Sequence, residues 1–219
     1  MLGSRSVRAA LLAATALAIL AGPRPAWSQV AGTEGIKQGE RFANAGGQTV
    51  RALVEAEGQI QATLDAYNAL VTKPTTDAKG DYRKLLKKLG DAKEKIAAVR
   101  PKLDGMNVEG EAYFKVWGSQ VANIGDAGLK TRGEERIAST RKEYDGILAT
   151  LREASAALQP FLKDLTDQIN FLGSDLRPEA LASLKGDAEK LNAKGKTLFE
   201  HTDTAVANSN TFFAPLRAK

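Results

Sequence analysis

Few side chains in this sequence are suited to acid–base or metal chemistry. His201 is the only histidine, and Glu200 and Asp203 lie beside it, so a metal site is the first chemistry to consider. On a helix, however, ligands on one face need a spacing of three or four residues, which these neighbours of His201 do not have. The residue three before His201 is Leu198, so the Glu-x-x-His unit of helical di-metal sites is absent. We therefore interpret His201 as a solvated side chain, or one at the edge of a helix contact, and expect no metal or other cofactor.

The remaining routes to catalysis are also poorly supported. The chain has no cysteine and one histidine, which argues against a nucleophilic triad. Glu57 is the only acidic residue among the apolar helix positions described below, and its same-face neighbours Leu53, Ile60 and Gln61 offer no second carboxyl. Acid–base catalysis would need a partner from another helix, and neither a Walker pattern nor a glycine-rich loop after a strand is present. We expect Glu57 to reach out to water and the protein not to be an enzyme.

A cluster of basic residues is the most suggestive surface feature. It comprises Arg83, Lys84, Lys87, Lys88, Lys93 and Lys95. The cluster lies at the start of a predicted helix, where positive charge opposes the helix dipole. An anionic partner such as lipid, lipopolysaccharide or glycan phosphate would compensate it, so these residues are candidates for contact with an anionic envelope surface. Because Asp91 and Glu94 lie among the basic residues, we favour the alternative of a solvated face.

Three aromatic residues near the middle of the chain could line a ligand pocket. They are Tyr113, Phe114 and Trp117. Tyr113 and Trp117 fall on a regular apolar pattern, so we favour a role in the core.

The elements that would position these residues are long helices. Apolar residues recur at alternating spacings of three and four residues through four stretches, from Ile36 to Val71, Tyr82 to Ile124, Ile137 to Leu172 and Leu181 to Phe212. Each stretch therefore has a heptad seam, and connections of nine residues or fewer favour antiparallel neighbours. We predict an all-α protein, an elongated antiparallel four-helix bundle with coiled-coil-like heptad seams. A three-helix core with a loosely docked first helix is the alternative.

The first two helices contain residues that usually disturb a helix. We expect the first helix to start near Thr33, and its small residues Gly39, Ala43 and Gly46 either permit close helix approach or mark a frayed end, which we favour. The second seam keeps its period through Pro101, which predicts a kink rather than a break.

The last two helices carry recognisable end signals. Thr131 and Glu134 have the spacing of a capping box, which predicts the start of the third helix. After this helix, Gly173 is expected to adopt the left-handed conformation that closes it. Pro178 fits the first turn of the fourth helix, where its missing N–H costs nothing.

The first 28 residues have the features of a signal peptide. Arg5 and Arg8 precede an apolar run from Ala9 to Ala21, and small residues precede the expected cleavage site between Ser28 and Gln29. The mature chain, residues 29–219, would form one helical-bundle domain with 28 basic and 26 acidic residues. A net charge of +2 gives no indication of nucleic-acid binding. We expect a periplasmic protein without a transmembrane anchor.

Several residues in the last two helices resemble one bacterial family. They are Arg141, Lys142, Glu143, Tyr144, Leu158, Gln159, Pro160, Phe161, Leu162, Asp167, Gln168, Phe171, Leu172, Ala180, Leu181, Ala182, Ser183, Leu184 and Gly186. With Gly35, Ile36, Ala112, Phe114 and Trp117 upstream, the sequence is similar to the domain of unknown function 2959 family from Gly35 to Phe213. The resemblance implies an all-helical, coiled-coil-like envelope protein of Gram-negative bacteria with no assigned catalytic residues. Many members look like lipoproteins, whereas this chain has no cysteine to accept a lipid.

Together these observations predict a non-enzymatic structural or interaction protein of the cell envelope. Its partner would be an envelope protein or an anionic envelope surface, and seams left open at the bundle ends could support a homo-oligomer. The alternative is a binding module for a lipid-like ligand held between helices, in room left by Gly39, Gly46, Gly110 and Gly195.

Overall fold

A computed structural model describes residues 33–217 of the chain, and the predicted signal peptide lies outside this range. These residues form five α-helices and no strand: α1 (Thr33–Thr72), α2 (Ala78–Ala122), α3 (Ala127–Leu172), α4 (Pro178–Ser183) and α5 (Lys185–Arg217). The all-α prediction is therefore confirmed. At ~1.5 Å per residue, α1, α2 and α3 are each about 60–70 Å long. None of the helices in this range is long and apolar enough to cross a membrane.

The long helices pack along their lengths. α1 contacts α2 and α5, and α3 contacts the same two helices. Between α1 and α2, the Gln38 amide donates to the Glu109 carboxylate (2.7 Å) near one end. Thr63 donates to the backbone carbonyl of Lys88 (3.1 Å) near the other. Residue numbers thus fall along α2 as they rise along α1.

Two buried threonines of α1 donate hydrogen bonds to backbone carbonyls of α2. The Thr49 hydroxyl lies 3.0 Å from the Ala45 carbonyl in its own helix and 2.9 Å from the Lys102 carbonyl in α2. The same arrangement recurs at Thr63, two heptads further along α1. A short hydroxyl side chain lets one backbone approach the other, and the shared hydrogen bond satisfies the buried oxygen.

The heptad seams form the core, as predicted. The buried residues include the predicted seam positions of α2 from Leu85 to Tyr113 and all of those in α4 and α5, whereas Tyr82, Trp117 and Gln120 of α2 are half-buried. Ile36 is an exception, because it is 44% exposed while its neighbour Gly35 is buried. In α3, Leu148 rather than Ile147 is buried. This one-residue drift is expected in a straight helix, since 3.6 residues per turn does not match a seven-residue repeat.

The predicted frayed start of the first helix is wrong. α1 does begin at Thr33, but Gly39, Ala43 and Gly46 are buried against other helices. A Cβ on Gly39 would lie 3.5 Å from the Tyr113 ring, which is ordinary contact distance. The small residues therefore permit close packing, which offsets their low helix propensity.

The second helix is unbroken, as expected, whereas the third begins earlier than expected. α2 continues through Pro101 without a break. α3 begins at Ala127 rather than at Thr131, because the Asp126 side chain accepts a hydrogen bond from the Leu129 N–H (2.7 Å) and caps it there. This earlier start adds a turn of α3 beside the end of α2.

The connection after α3 also differs from the prediction. Gly173 has φ −62° and ψ −20°, a right-handed conformation, so the expected left-handed closure is wrong. Instead, the N–H groups of Ser174 and Asp175 bond the carbonyls three residues back and complete the helix end. Pro178 does occupy the first turn of α4, but the expected single fourth helix is interrupted at Leu184 and resumes as α5.

Candidate functional site

The predicted basic cluster lies on α2, and three of its six side chains form ion pairs with acidic residues. Within α2, Lys84 pairs with Asp81 and Lys87 pairs with Asp91, each at 3.0 Å. The third pair joins two helices, since Lys95 contacts Glu55 of α1 at 2.7 Å. This contact raises the pKa of Lys95 and lowers that of Glu55, chiefly through the shared hydrogen bond.

The six basic residues also spread around the helix. At about 100° per residue, Arg83 and Lys87 share the outward face of α2, whereas Lys93 and Lys95 lie on opposite flanks. Lys88 is half-buried, and the other five side chains are exposed. The outward pair is therefore the part of the cluster best placed to meet an anionic surface.

His201 is half-buried on α5. Over residues 33–217, no group of three or more His, Cys, Asp and Glu side chains is arranged to hold a metal ion. His201 thus has no neighbouring set of ligands in the described part of the chain.

The predicted aromatic group belongs to a larger ring cluster at the end of the bundle where α1 begins. Its members are Phe42, Tyr113, Phe114, Trp117, Tyr144, Phe212 and Phe213. Phe42 is fully buried at its centre, with edge-to-face neighbours at centroid distances of 4.9 Å (Tyr144) and 5.0 Å (Phe213). The rings fill the space among themselves, which supports a core role.

The cluster is closed on one side by a cation. The Arg141 guanidinium lies 5.1 Å from the centre of the Phe114 ring, and it also contacts Glu111 and Asp145. Burial raises the pKa of Tyr113 to about 12 and raises that of Tyr144 above its ordinary value. Both phenols therefore stay neutral at physiological pH.

The glycines expected to leave room for a ligand are filled by the protein itself. A Cβ on Gly110 would lie 2.8 Å from Tyr144 and 3.0 Å from Phe42. On Gly195 it would lie 3.1 Å from Leu64, and the Phe213 ring covers Gly46. The expected room beside these glycines does not exist in this packing.

A shallow groove lies between α1 and α5. It is open to solvent, has a volume of about 360 Å³, and is lined by Gln61, Leu64, Asn192, Lys196, Phe199, Glu200 and Asp203. Leu64 and Phe199 supply its apolar surface, while the remaining lining is polar or charged. At one end, Asn68 and Asn192 exchange amide hydrogen bonds of 2.6 and 3.2 Å.

Asp203 of α5 lines the other end of this groove, and Glu57 of α1 lies near it. Glu57 is half-buried and Asp203 is exposed, and Asp203 is close enough to act on Glu57 electrostatically. Burial, with a further contribution from the charge of Asp203, raises the pKa of Glu57 to about 7. The partner from another helix that Glu57 would need is thus available, although Asp203 lies outside the apolar seam of α5.

The sequence did not identify Asp203 as a partner of Glu57, because Asp203 lies off the apolar seam of its own helix. The sequence nevertheless contains one indication, because Glu57 is a charged residue within the first apolar seam. Such a residue indicates an interacting side chain on a flanking position of a neighbouring helix, and an acidic residue was one candidate. The pairing depends on which turns of α1 and α5 meet.

Comparison with known proteins adds a family but no characterised relative. The family described as protein of unknown function (DUF2959) matches residues 30–216, nearly the whole chain. No curated protein and no solved structure matches the chain. The chain belongs to the DUF2959 family, as its sequence resemblance predicted.

Proposed function

We propose that this member of the DUF2959 family is a non-enzymatic, exported protein that acts as a structural or interaction component of the cell envelope. Its helices would form an elongated antiparallel four-helix bundle, with α4 and α5 together as the fourth helix. The pattern of residues 1–28 supports export to the periplasm.

The main support for this proposal is that the protein's own side chains fill the spaces between its helices. Phe213, Tyr144 and Leu64 occupy the spaces beside the buried glycines. In the described range, every fully buried side-chain nitrogen or oxygen has a hydrogen-bond partner. Because the protein's own side chains fill these contacts, a partner is best met on the outer faces of long, rigid helices.

Photo-crosslinking in the cell envelope tests the proposal. A photoreactive amino acid replaces Lys87 on the outward face of α2, and a matched variant carries it at exposed Glu189 on α5. We expect discrete adducts at Lys87, identified by mass spectrometry, and few at Glu189. Absence of adducts at outward positions of every helix would contradict an interaction role.

The proposed export to the periplasm is tested by a separate experiment. N-terminal sequencing of the mature protein should begin at Gln29, and the protein should be recovered in the periplasmic fraction. An N-terminus at Met1, or membrane pelleting that resists high salt, would contradict export as a free protein.

The groove between α1 and α5 favours a second candidate, the binding of an amphipathic ligand. It combines the apolar surface of Leu64 and Phe199 with charged groups such as Lys196. A volume of about 360 Å³ lies within the ~300–1,000 Å³ range of small-molecule sites. Native mass spectrometry of the purified protein distinguishes the two, since only this candidate expects a copurified small molecule.

A further inference from the structure

The contact between α1 and α5 is held on both sides of Glu57. Towards the start of α1, Gly46 packs against the Phe213 ring of α5. In the other direction, Asn68 and Asn192 are hydrogen-bonded, and Leu64 meets Gly195. As the residue number in α1 rises, the number opposite it in α5 falls by the same amount. Glu57 is thereby placed opposite Asp203, in the middle of a contact that is fixed at both ends.

The two carboxyls differ from other acids at helix contacts. Between helices, Glu55 has Lys95 at 2.7 Å and Asp164 has Lys194 at 2.6 Å. Glu57 and Asp203 have neither an ion-pair partner nor a hydrogen-bond partner within residues 33–217. Two uncompensated carboxylates at a partly buried contact repel one another when both are charged.

Other charged groups at this level do not compensate the pair. On α5, Lys196 lies 3.9 Å from Glu200, and His201 lies on the flank of α5 towards α3. The charged residues of the other helices at this height are Lys93, Glu94 and Lys95 of α2 and Arg152 and Glu153 of α3. Among these groups Asp203 is the one that adds to the effect of burial on the pKa of Glu57.

We propose that the α1–α5 contact around Glu57 and Asp203 is proton-sensitive: it is tight while Glu57 carries a proton and loosens when both carboxyls are charged. Because the neighbouring contacts persist, the change is confined to the turns around these residues and to the adjoining end of the groove. The inference does not depend on the compartment or partner in which the protein acts.

The sign of the effect follows from proton linkage. The pKa of Glu57 is about 7 in the folded protein, against 4.5 for an unperturbed group. The folded contact therefore binds more protons than the opened one, so the stability that Glu57 contributes is complete below about pH 4.5 and is lost as the pH rises through about 7. Glu57 is partly solvated, so screening reduces the size of the effect but not its direction.

Hydrogen exchange of the full-length mature protein at about pH 5.5 and pH 8.5 tests this, with rates corrected for the intrinsic effect of pH. We expect amides of residues 53–61 and 199–207 to lose protection at the higher pH by up to about tenfold, the factor that one pKa unit represents. Glu57→Gln, which carries no charge at either pH, should remove this difference.

Two further variants complete the experiment. Asp203→Asn should lower the titration midpoint of Glu57, followed by carboxyl NMR, whereas Glu153→Gln at an exposed position of α3 should leave the wild-type pH dependence unchanged. The proposal is overturned if Glu57 titrates near its ordinary value, or if Glu57→Gln retains the pH-dependent loss of protection. Neither result would contradict the proposed function in the cell envelope, because crosslinking and fractionation test that function separately.

Discussion

Gly46 and Phe213 are packed against each other across the α1–α5 contact. A Cβ on Gly46 would lie 2.6 Å from the Phe213 Cδ2 atom, closer than real side chains approach. The ring itself cannot retreat easily, because Phe213 is fully buried among Phe42 and Phe212. The glycine is thus the residue that lets the aromatic cluster close.

Gly46→Ala should destabilise the fold although alanine is the better helix former. Overpacking typically costs about 1–3 kcal/mol, which exceeds the ~1 kcal/mol gained in helix propensity. Gly58→Ala in the same helix is the matched control, since nothing lies within 4 Å of a Cβ there. Urea unfolding should show a lower midpoint for Gly46→Ala and an equal or higher midpoint for Gly58→Ala. A stabilised Gly46→Ala would mean that α5 does not pack on α1 as described.

Tyr67→Phe should cost more stability than Tyr144→Phe. The Tyr67 hydroxyl donates to the Gln168 Oε1 atom at 2.8 Å, linking α1 and α3. The Tyr144 hydroxyl donates a longer and therefore weaker hydrogen bond to the Met106 carbonyl, at 3.4 Å. Loss of the first bond should lower the free energy of unfolding by about 0.5–1.5 kcal/mol. Denaturant melts of the two variants provide the comparison, and equal losses would argue against the α1–α3 link.

Phe161→Ala should lower the thermal midpoint strongly. Phe161 is 5% exposed and packs on Gly195 and edge-to-face on Phe199 at 6.3 Å. Truncation of a buried phenylalanine costs about 3–5 kcal/mol. His201→Ala, at a half-buried position, should change stability by less than about 0.5 kcal/mol. Circular-dichroism melts that ranked the two variants in the opposite order would show that the assignment of the α5 seam is wrong.

The buried tyrosines should ionise only in strongly alkaline solution. Burial raises the pKa of Tyr67 and of Tyr113 to about 12, above the ordinary value of 10. The folded state therefore holds these protons more tightly, and the associated stability is complete below about pH 10 and is lost as the pH rises through about 12. Tyrosinate absorbance should increase together with the loss of helical signal. Ionisation near pH 10 in a fully helical protein would contradict the described burial.

The heptad pattern predicted most of the core because helix burial follows a simple period. The spacing of Leu158, Phe161 and Leu165 predicts that they share one face of α3, and all three are buried. Ala56, the residue before Glu57, is fully buried. Local spacing was sufficient here because neighbouring turns of one helix determine which face is apolar.

Contacts between residues of different helices could not be predicted from the spacing of residues within one helix. The burial of Gly39 and Gly46 depends on rings contributed from Tyr113 and Phe213. The start of α3 also differs from the capping-box prediction, because Asp126 and not Thr131 caps the helix. Gly133, in the second turn of this helix, packs against Val121, where a Cβ would lie 2.8 Å away.

The packing of aromatic rings against glycines also fixes how the helices align along their lengths, which the heptad repeat alone leaves ambiguous. A seam that repeats every seven residues is degenerate, since sliding one helix by a heptad again opposes apolar residues. Tyr144 now occupies the space beside Gly110. A seven-residue slide of α2 would instead bring Leu103 or Trp117 opposite Tyr144, where no space exists for the ring. Because no glycine lies seven residues before or after Gly110, its contact with Tyr144 distinguishes the native alignment from its periodic competitors. Replacing Gly110 should therefore yield misaligned helical states before it yields unfolded ones.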